Sequence, residues 1–493
     1  MFYVGRSGIK PSIRRNFKIN AFGNENTTVA ENLVNLSKAT CSFNVSVRDG
    51  ELTQGYGSYT AQIFGNDSDD YLIAQPDDSI SGVWHYKRYD KEGNFQDNRL
   101  IVRTKTRQLL SLKISLRANE YEVISDNFGN VYSAQNYRIE DEDVLLLATD
   151  EGLYAYDGKI LEKAENTPDI VCLCIHGERA FATVGGEGNR LWFSKSLDPT
   201  DWTVSAEKGG YVEFVGDGGK LTALISFMGY LFVFREYGIE RVSAYSDQSD
   251  FIVKKIYSSY DKIIEKTVTL CGDRILFLSE TGLKSFDGAN VTNLGNVLSI
   301  DDMQNFSSNC VGTYFKGTYY LSYYVHRIYS EKTERERAEF INNNCVLMFE
   351  PATGMKQFIS DVDVDGFCCV QTEKTGELLF FQNPQLHNSV KLGVIQENRN
   401  VNLGKVSEAY WRTGMTDLGF PEKKKFLKSI TLTSKNDITV CALLDGEMIK
   451  FHNVKGNSVR LFVNKPFEKL GFYFSTTKST LRISNPVVTV DMR

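Results

Sequence analysis

Apolar residues in this chain fall in short runs broken by turns rich in Gly, Asp and Asn, and the runs come in pairs. One pair is Val144-Leu145-Leu146-Leu147-Ala148-Thr149, the turn Asp150-Glu151-Gly152, then Leu153-Tyr154-Ala155-Tyr156-Asp157-Gly158. Another is Ile275-Leu276-Phe277-Leu278-Ser279, the turn Glu280-Thr281-Gly282, then Leu283-Lys284-Ser285-Phe286-Asp287-Gly288. Looser copies of this strand, turn, strand unit lie at 177–194, 229–245, 317–349 and 366–382. Two earlier hairpins join Tyr71-Leu72-Ile73-Ala74 to Val83-Trp84-His85-Tyr86, and Leu100-Ile101-Val102 to Leu109-Leu110-Ser111-Leu112. Gly152, Gly238 and Gly282 are 86 and 44 residues apart, a period near 43 with one divergent copy between. That period suits a four-stranded propeller blade, which cannot bury both faces without neighbours. The pattern predicts an all-β chain with a β-propeller of six to eight blades over 55–400. The competing reading is an irregular β-sandwich with coincidental hairpins.

The pattern changes after residue 400. Short alternating runs at 426–433, 438–444, 447–452, 458–463, 470–475, 480–483 and 487–490 predict a small β-sandwich over 401–493. Asp445-Gly446 is a strong two-residue hairpin turn within it. Residues 1–54 are weakly patterned and read as an arm with a first strand pair around Arg48-Asp49-Gly50. The insertion 327–344, rich in Glu, Lys and Arg, reads as a solvated loop or short helix.

Composition sharpens this picture. Aromatic residues reach 12%, led by 31 Phe and 25 Tyr, which favours strands over long helices. The net charge of −6 argues against a dedicated nucleic-acid binder. The charge is uneven: residues 401–493 hold 15 Lys+Arg against 8 Asp+Glu, leaving −13 for residues 1–400. The nine Cys are irregularly spaced, several within apolar runs, and read as reduced thiols of a protein folded in a reducing cytoplasm. The basic first 20 residues are followed by no apolar segment, so a signal peptide is not expected. The longest uncharged stretch, 221–234, is too short to span a membrane.

Candidate chemistry is sparse. The five His form no metal-binding cluster, and no Gly-x-Ser-x-Gly elbow or phosphate loop is present. No cofactor is expected. Asp361, Asp363 and Asp365 alternate before Gly366, like the opening of a calcium loop. Position 12 of that loop is Thr372, however, and Glu373 comes one place late, so these three are weak metal candidates. The alternative is a polar start to a hairpin. Ser194-Lys195-Ser196-Leu197-Asp198-Pro199-Thr200-Asp201-Trp202 resembles the Asp-box hairpin of sialidase propellers, a structural motif, with Pro199 where Gly is usual.

The runs Arg190-Leu191-Trp192-Phe193-Ser194, Asp198 to Trp202, Gly216-Asp217-Gly218-Gly219-Lys220-Leu221 and Leu231-Phe232-Val233-Phe234-Arg235-Glu236-Tyr237-Gly238-Ile239 resemble propeller proteins of tailed bacteriophages. Those are the tail hub or nozzle proteins, also called DNA-stabilisation proteins. The opening Asn32-Leu33-Val34-Asn35, Arg48-Asp49-Gly50 and Gly55-Tyr56-Gly57 is similar, as is Trp411-Arg412-Thr413-Gly414 before the terminal domain. The resemblance implies a non-enzymatic virion structural protein, made in the host cytoplasm and placed in the tail. It would form a ring of six or twelve copies around a genome-exit channel, beside portal, adaptor or other tail proteins. DNA would pass without sequence-specific binding, and an acidic body around the channel would repel it. Arg335, Arg337, Lys423, Lys424 and Lys425 are the expected partner contacts. The alternative function is a carbohydrate-binding or glycan-processing propeller.

Overall fold

The computed structural model describes residues 12–23, 35–60, 62–64, 70–72, 78–114, 121–139, 141–244, 248–295, 297–298, 309–325, 343–371, 376–382, 392–397, 401–403, 405–477 and 480–493. Two compact units result: Met1–Tyr59 with Gly354–Asp361 and Gln396–Arg493, and Thr60–Thr353 with Val362–Ile395.

The second unit is a seven-bladed propeller. Its blades are antiparallel sheets in chain order. The first is Ile80–Tyr89, Phe95–Thr104, Leu109–Lys113 and Tyr121–Ser125. The second is Val131–Ile139, Glu142–Thr149, Gly152–Tyr156 and Leu161–Lys163; the third is Ile170–His176, Arg179–Val184, Arg190–Phe193 and Gly210–Glu213. The fourth is Leu221–Phe227, Tyr230–Arg235, Gly238–Ser243 and Ile252–Ser258; the fifth is Thr269–Cys271, Arg274–Ser279, Gly282–Phe286 and Val291–Asn293. The sixth contains Val311–Phe315, Thr318–Tyr323 and Cys345–Glu350, and the seventh Gly366–Gln371, Gly376–Phe381 and Gly393–Glu397. The first strands of successive blades adjoin around the axis, and Gly366–Gln371 lies against Ile80–Tyr89 to close the ring.

The recurring turns have one physical cause. Asp150 N–H donates to the Asn130 carbonyl (3.2 Å), and the Asp150 carboxylate accepts the Asn130 N–H (2.8 Å). Glu236 and Lys220 repeat this exchange at 2.9 and 3.1 Å, and Glu280 and Lys262 at 3.2 and 3.3 Å. Each acid thus clips its hairpin to the chain entering the blade. The Glu236 carboxyl is held below its ordinary range, first by the Lys220 N–H and, against partial burial, by Lys262. In the third blade Gly185 takes the turn position and donates to the Asp169 carbonyl at 2.8 Å. A Cβ there would stand 2.5 Å from the Asp169 carboxylate, so this divergent copy carries its acid on the other side of the clip. The Asp-Gly pairs close the next turn: Asp157 accepts the N–H of Lys159 and Ile160, and Asp287 those of Ala289 and Asn290. Gly158 and Gly288 follow at φ 95° and 96°, where a side chain is strained.

One expected hairpin is corrected. Val83–Tyr86 pairs with 99–102, and Tyr71 and Leu72 pair with Ile63 and Gln62; Ile73 and Ala74 lie outside the described residues. The turn that decides this is 90–94, where the Asp90 carboxylate accepts the Asn94 backbone and side-chain N–H groups and that of Gln96.

The other unit contains a nine-stranded sheet. Its spine is a long hairpin, Lys425–Leu444 and Glu447–Phe467, turned at Asp445-Gly446 with φ 51° and 93°, the mirror-image turn that matches strand twist. The short runs expected at 426–433 and 438–444 are one strand, as are those at 447–452 and 458–463. Asn453, Ser458 and Asn464, all with positive φ, interrupt the pairing without ending it. On its other edge the first strand pairs with Arg482–Met492 and Leu470–Thr476. Residues of the expected arm supply strands here: Ile13–Lys18 pairs with 487–492, Ala39–Phe43 with 410–413, and Leu52 with Ile483. Phe22 packs edge-on against Trp411, 4.9 Å between centroids, in a core with Leu427, Val440, Phe472 and Phe474.

Polar side chains hydrogen-bond across the ring closure of the propeller. Asn98 Nδ2 donates to the Gln371 carbonyl (3.0 Å), and Lys87 Nζ to Gln371 Oε1 (2.7 Å). His85 is 8% exposed and bonds Asn98 Oδ1. Burial, against that hydrogen bond and aided by Lys87, lowers its pKa from 6.5 to about 4. The unfolded chain therefore takes up this proton before the folded one does. The stability that neutral His85 gives is intact above pH 6.5 and is lost as pH falls from 6.5 through 4. In urea titrations, the drop in unfolding free energy between pH 7 and pH 5 should shrink by about 2 kcal/mol in His85→Gln. An unchanged drop would remove His85 from the closure.

Candidate functional site

The structure scatters the residues singled out above. Asp361 has φ 59°, and its carboxylate accepts the Ser360 hydroxyl at 3.4 Å. Asp363 is buried, and Asp365 donates its N–H to the Phe381 carbonyl at 2.9 Å, at the start of the seventh blade. Burial raises the Asp365 pKa, opposed by Lys266 and reinforced by Asp363. Among the described residues no three His, Cys, Asp or Glu side chains are grouped to hold a metal ion. Arg335 and Arg337 lie outside the described residues. Lys423 and Lys424 are exposed beside a turn. Lys425 is not a surface contact: it is 3% exposed, and its ammonium donates to the Phe420 carbonyl (2.8 Å) near the Phe467 ring.

The Asp-box-like segment is architectural. Asp198 Oδ1 accepts the Thr200 N–H (3.1 Å) and hydroxyl (2.7 Å), and Trp202, 1% exposed, donates its indole N–H to the Pro199 carbonyl (2.8 Å). The Trp202 ring fills the core between the second and third blades with Val144, Leu146, Leu173 and Ala180.

Other buried polar groups also serve the backbone. Arg235 pairs with Glu240 at 2.8 Å and donates to the carbonyls of Gly216 and Gly219. Arg103 donates to the Gly129 carbonyl (2.8 Å), Arg179 to those of Ser194 (2.6 Å) and Lys208 (2.8 Å), and His176 meets the Ser226 hydroxyl (2.8 Å). Burial pushes the thiols of Cys172 and Cys174 up to about 11 and about 12, far from the lowered pKa that a nucleophilic or metal-binding thiolate needs.

Two surface features remain. The first is a groove of about 840 Å³ beside the second blade, walled by the 200–208 excursion of the third. Its floor includes Val144, Ala155 and Ala164, and its lining carries five carboxylates against two lysines. Lys208 is already paired with Asp201 at 3.0 Å. Glu162 and Glu165 are exposed at its mouth beside Ile160, which is 57% exposed. The second feature is the outward face of Glu447–Phe467, where Lys450, Lys455 and Arg460 are exposed with Met448 (42%) and Phe462 (62%). The Arg460 guanidinium lies over the Phe462 ring, 5.2 Å from its centroid. Sequence reasoning passed over both. The basic balance of 401–493 pointed to the second, but nothing local brings 142, 162, 165 and 201 together.

Charge follows the two units. By sequence the propeller unit holds 32 Lys+Arg against 48 Asp+Glu, and the other unit 24 against 14. The innermost propeller strands, however, contain no Asp or Glu; their charged residues are Lys87, Arg88 and Arg138. Acidic residues are thus kept off these seven strands. Each is flanked by its neighbours around the ring, where a carboxylate would lose solvation without a partner, so the acids gather in turns and outer strands.

No protein-family model matches the chain, and no curated protein sequence matches it. Solved structures to which it is similar include BBS1N in complex with ARL6DN (10% identity, 70% of this chain and 99% of that one, TM-score 0.43). Virginiamycin B lyase from Staphylococcus aureus is another (8%, 69% and 99%, TM-score 0.42), as is the Pan2 WD40 domain of Neurospora crassa (11%, 71% and 98%, TM-score 0.39). Likeness at this level carries no function. The strand order and ring closure above define the class: a seven-bladed β-propeller with a second all-β unit. Among the described residues no helix is long and apolar enough to cross a membrane.

Trp202→Ala should cost about 3–5 kcal/mol in chemical denaturation, because it opens a cavity between two blades. Asp198→Ala should cost about 1 kcal/mol. A change in Asp198→Ala that spared stability and altered only ligand binding would contradict the architectural role.

Proposed function

We propose that this chain is a non-catalytic structural subunit of a bacteriophage tail, a hub or nozzle component that joins further copies of itself in a ring around the path of the genome. The division of charge between the two units carries the reading, since a basic unit and an acidic unit on one chain favour contacts between copies. Two other observations support it. The resemblance of the 190–239 runs supplies the phage context. Of the buried cations described above, Arg103, Arg179, Arg235 and Lys425 donate to backbone carbonyls. On this reading the protein is made in the host cytoplasm and ends in the virion tail beside portal or adaptor proteins. The carboxylate-lined groove supports a second reading, a carbohydrate-binding propeller, because carboxylates beside an apolar floor suit sugar hydroxyls and ring faces.

Native mass spectrometry with negative-stain imaging of the full chain tests this. The expected result is a closed ring of six or twelve copies with an opening wide enough for duplex DNA. A monomer at all concentrations that binds a glycan array saturably would replace the tail reading with the carbohydrate one.

A further inference from the structure

We infer that the groove beside the second blade is the docking site for the outward face of the Glu447–Phe467 strand of a second copy. The inference deepens the ring-forming reading and rests on it. The groove offers an excess of carboxylates, with Glu142, Glu162 and Glu165 around exposed Ile160 and an apolar floor. The strand offers Lys450, Lys455 and Arg460 interleaved with exposed Met448 and Phe462. The two surfaces thus carry opposite charge and each exposes an apolar side chain; Glu142 lies 3.7 Å from Arg88, which leaves Glu162 and Glu165 as the exposed acids at the mouth of the groove. Arg460 already lies over the Phe462 ring, so a partner meets these two side chains partly ordered, which lowers the entropy lost on docking. The strand's unpaired backbone edge is a poor alternative docking element. Positive-φ residues at Asn453, Ser458 and Asn464, together with Pro466, break its register, so the side-chain face is the surface on offer. Since the two surfaces differ, the contact is head-to-tail: each copy gives its strand to one neighbour and its groove to another, and successive copies close a ring if the rotation allows.

Two charge-reversal variants test this. One carries Lys455→Glu and Arg460→Glu, the other Glu162→Lys and Glu165→Lys. All four positions are exposed, and circular dichroism with thermal melting checks that each variant folds. By sedimentation velocity each variant alone should associate at least roughly tenfold more weakly than the wild type. Mixed, the two variants share one intact groove and one intact strand. The reversed strand of one also meets the reversed groove of the other, so the mixture should regain assembly with the two variants alternating, and the four substitutions in one chain should restore full assembly for the same reason. A wild-type ring that both variants retain would overturn this docking site and leave the ring-forming reading standing. A wild type that stays monomeric at every concentration would overturn both. If one variant fails to fold, the other still decides: assembly at wild-type strength overturns the proposal.

Discussion

A sheet that is apolar on both faces is stable in water only when another sheet covers each of them. Every blade of the propeller is in that position, and the first and last blades can be covered only by each other. The contact between Gly366–Gln371 and Ile80–Tyr89 is therefore the condition on which the other six inter-blade interfaces depend. Hydrogen bonds from Asn98 and Lys87 to Gln371 cross it, beside a neutral His85, in blades whose Val83, Leu100, Val102, Val370 and Leu379 are buried. Hydrogen bonds fix one register where apolar packing alone would tolerate sliding.

The hairpins were legible because their turns carry chemistry that local geometry demands. Asp-Gly after a third strand, and an acid-x-Gly before it, close the same hydrogen-bonded rings wherever they occur, so the repeat shows in residue types as well as in hydrophobicity. The turn glycines gave the period for the same reason. Legibility failed where pairing is long-range. Ile13–Lys18 is an exposed edge strand with no buried face to impose alternation, so its place beside Val487–Met492 left no trace in the local pattern. The long hairpin was cut into short strands because Asn453 and Ser458 look like turns, while in the structure they are bulges that the pairing crosses. Val83–Tyr86, expected to pair with 71–74, instead pairs with the strand that follows it, across a turn whose Asp90 carboxylate accepts from Asn94 and Gln96.

The candidate surfaces were less legible than the fold. Lys423, Lys424 and Lys425 look equivalent in sequence, yet the strand alternation that begins there turns Lys425 inward onto a carbonyl. The groove is made of residues from all four strands of one blade and an excursion from the next, and only the folded arrangement brings their carboxylates together. Net charge by segment was the signal that survived, because it needs no knowledge of neighbours.

The closure also sets a timetable. Lys87 and Gln371 are 284 residues apart in the chain. At about 5–20 residues per second of synthesis, the first blade emerges roughly 15–60 s before the strand that must cover it exists. Over that interval one apolar flank of Ile80–Ser125 faces water, or a chaperone, or the same segment on the next nascent chain of a polysome. Slow translation prolongs that exposure and fast translation shortens it, so the yield of this protein should depend on how quickly its messenger is read through the propeller.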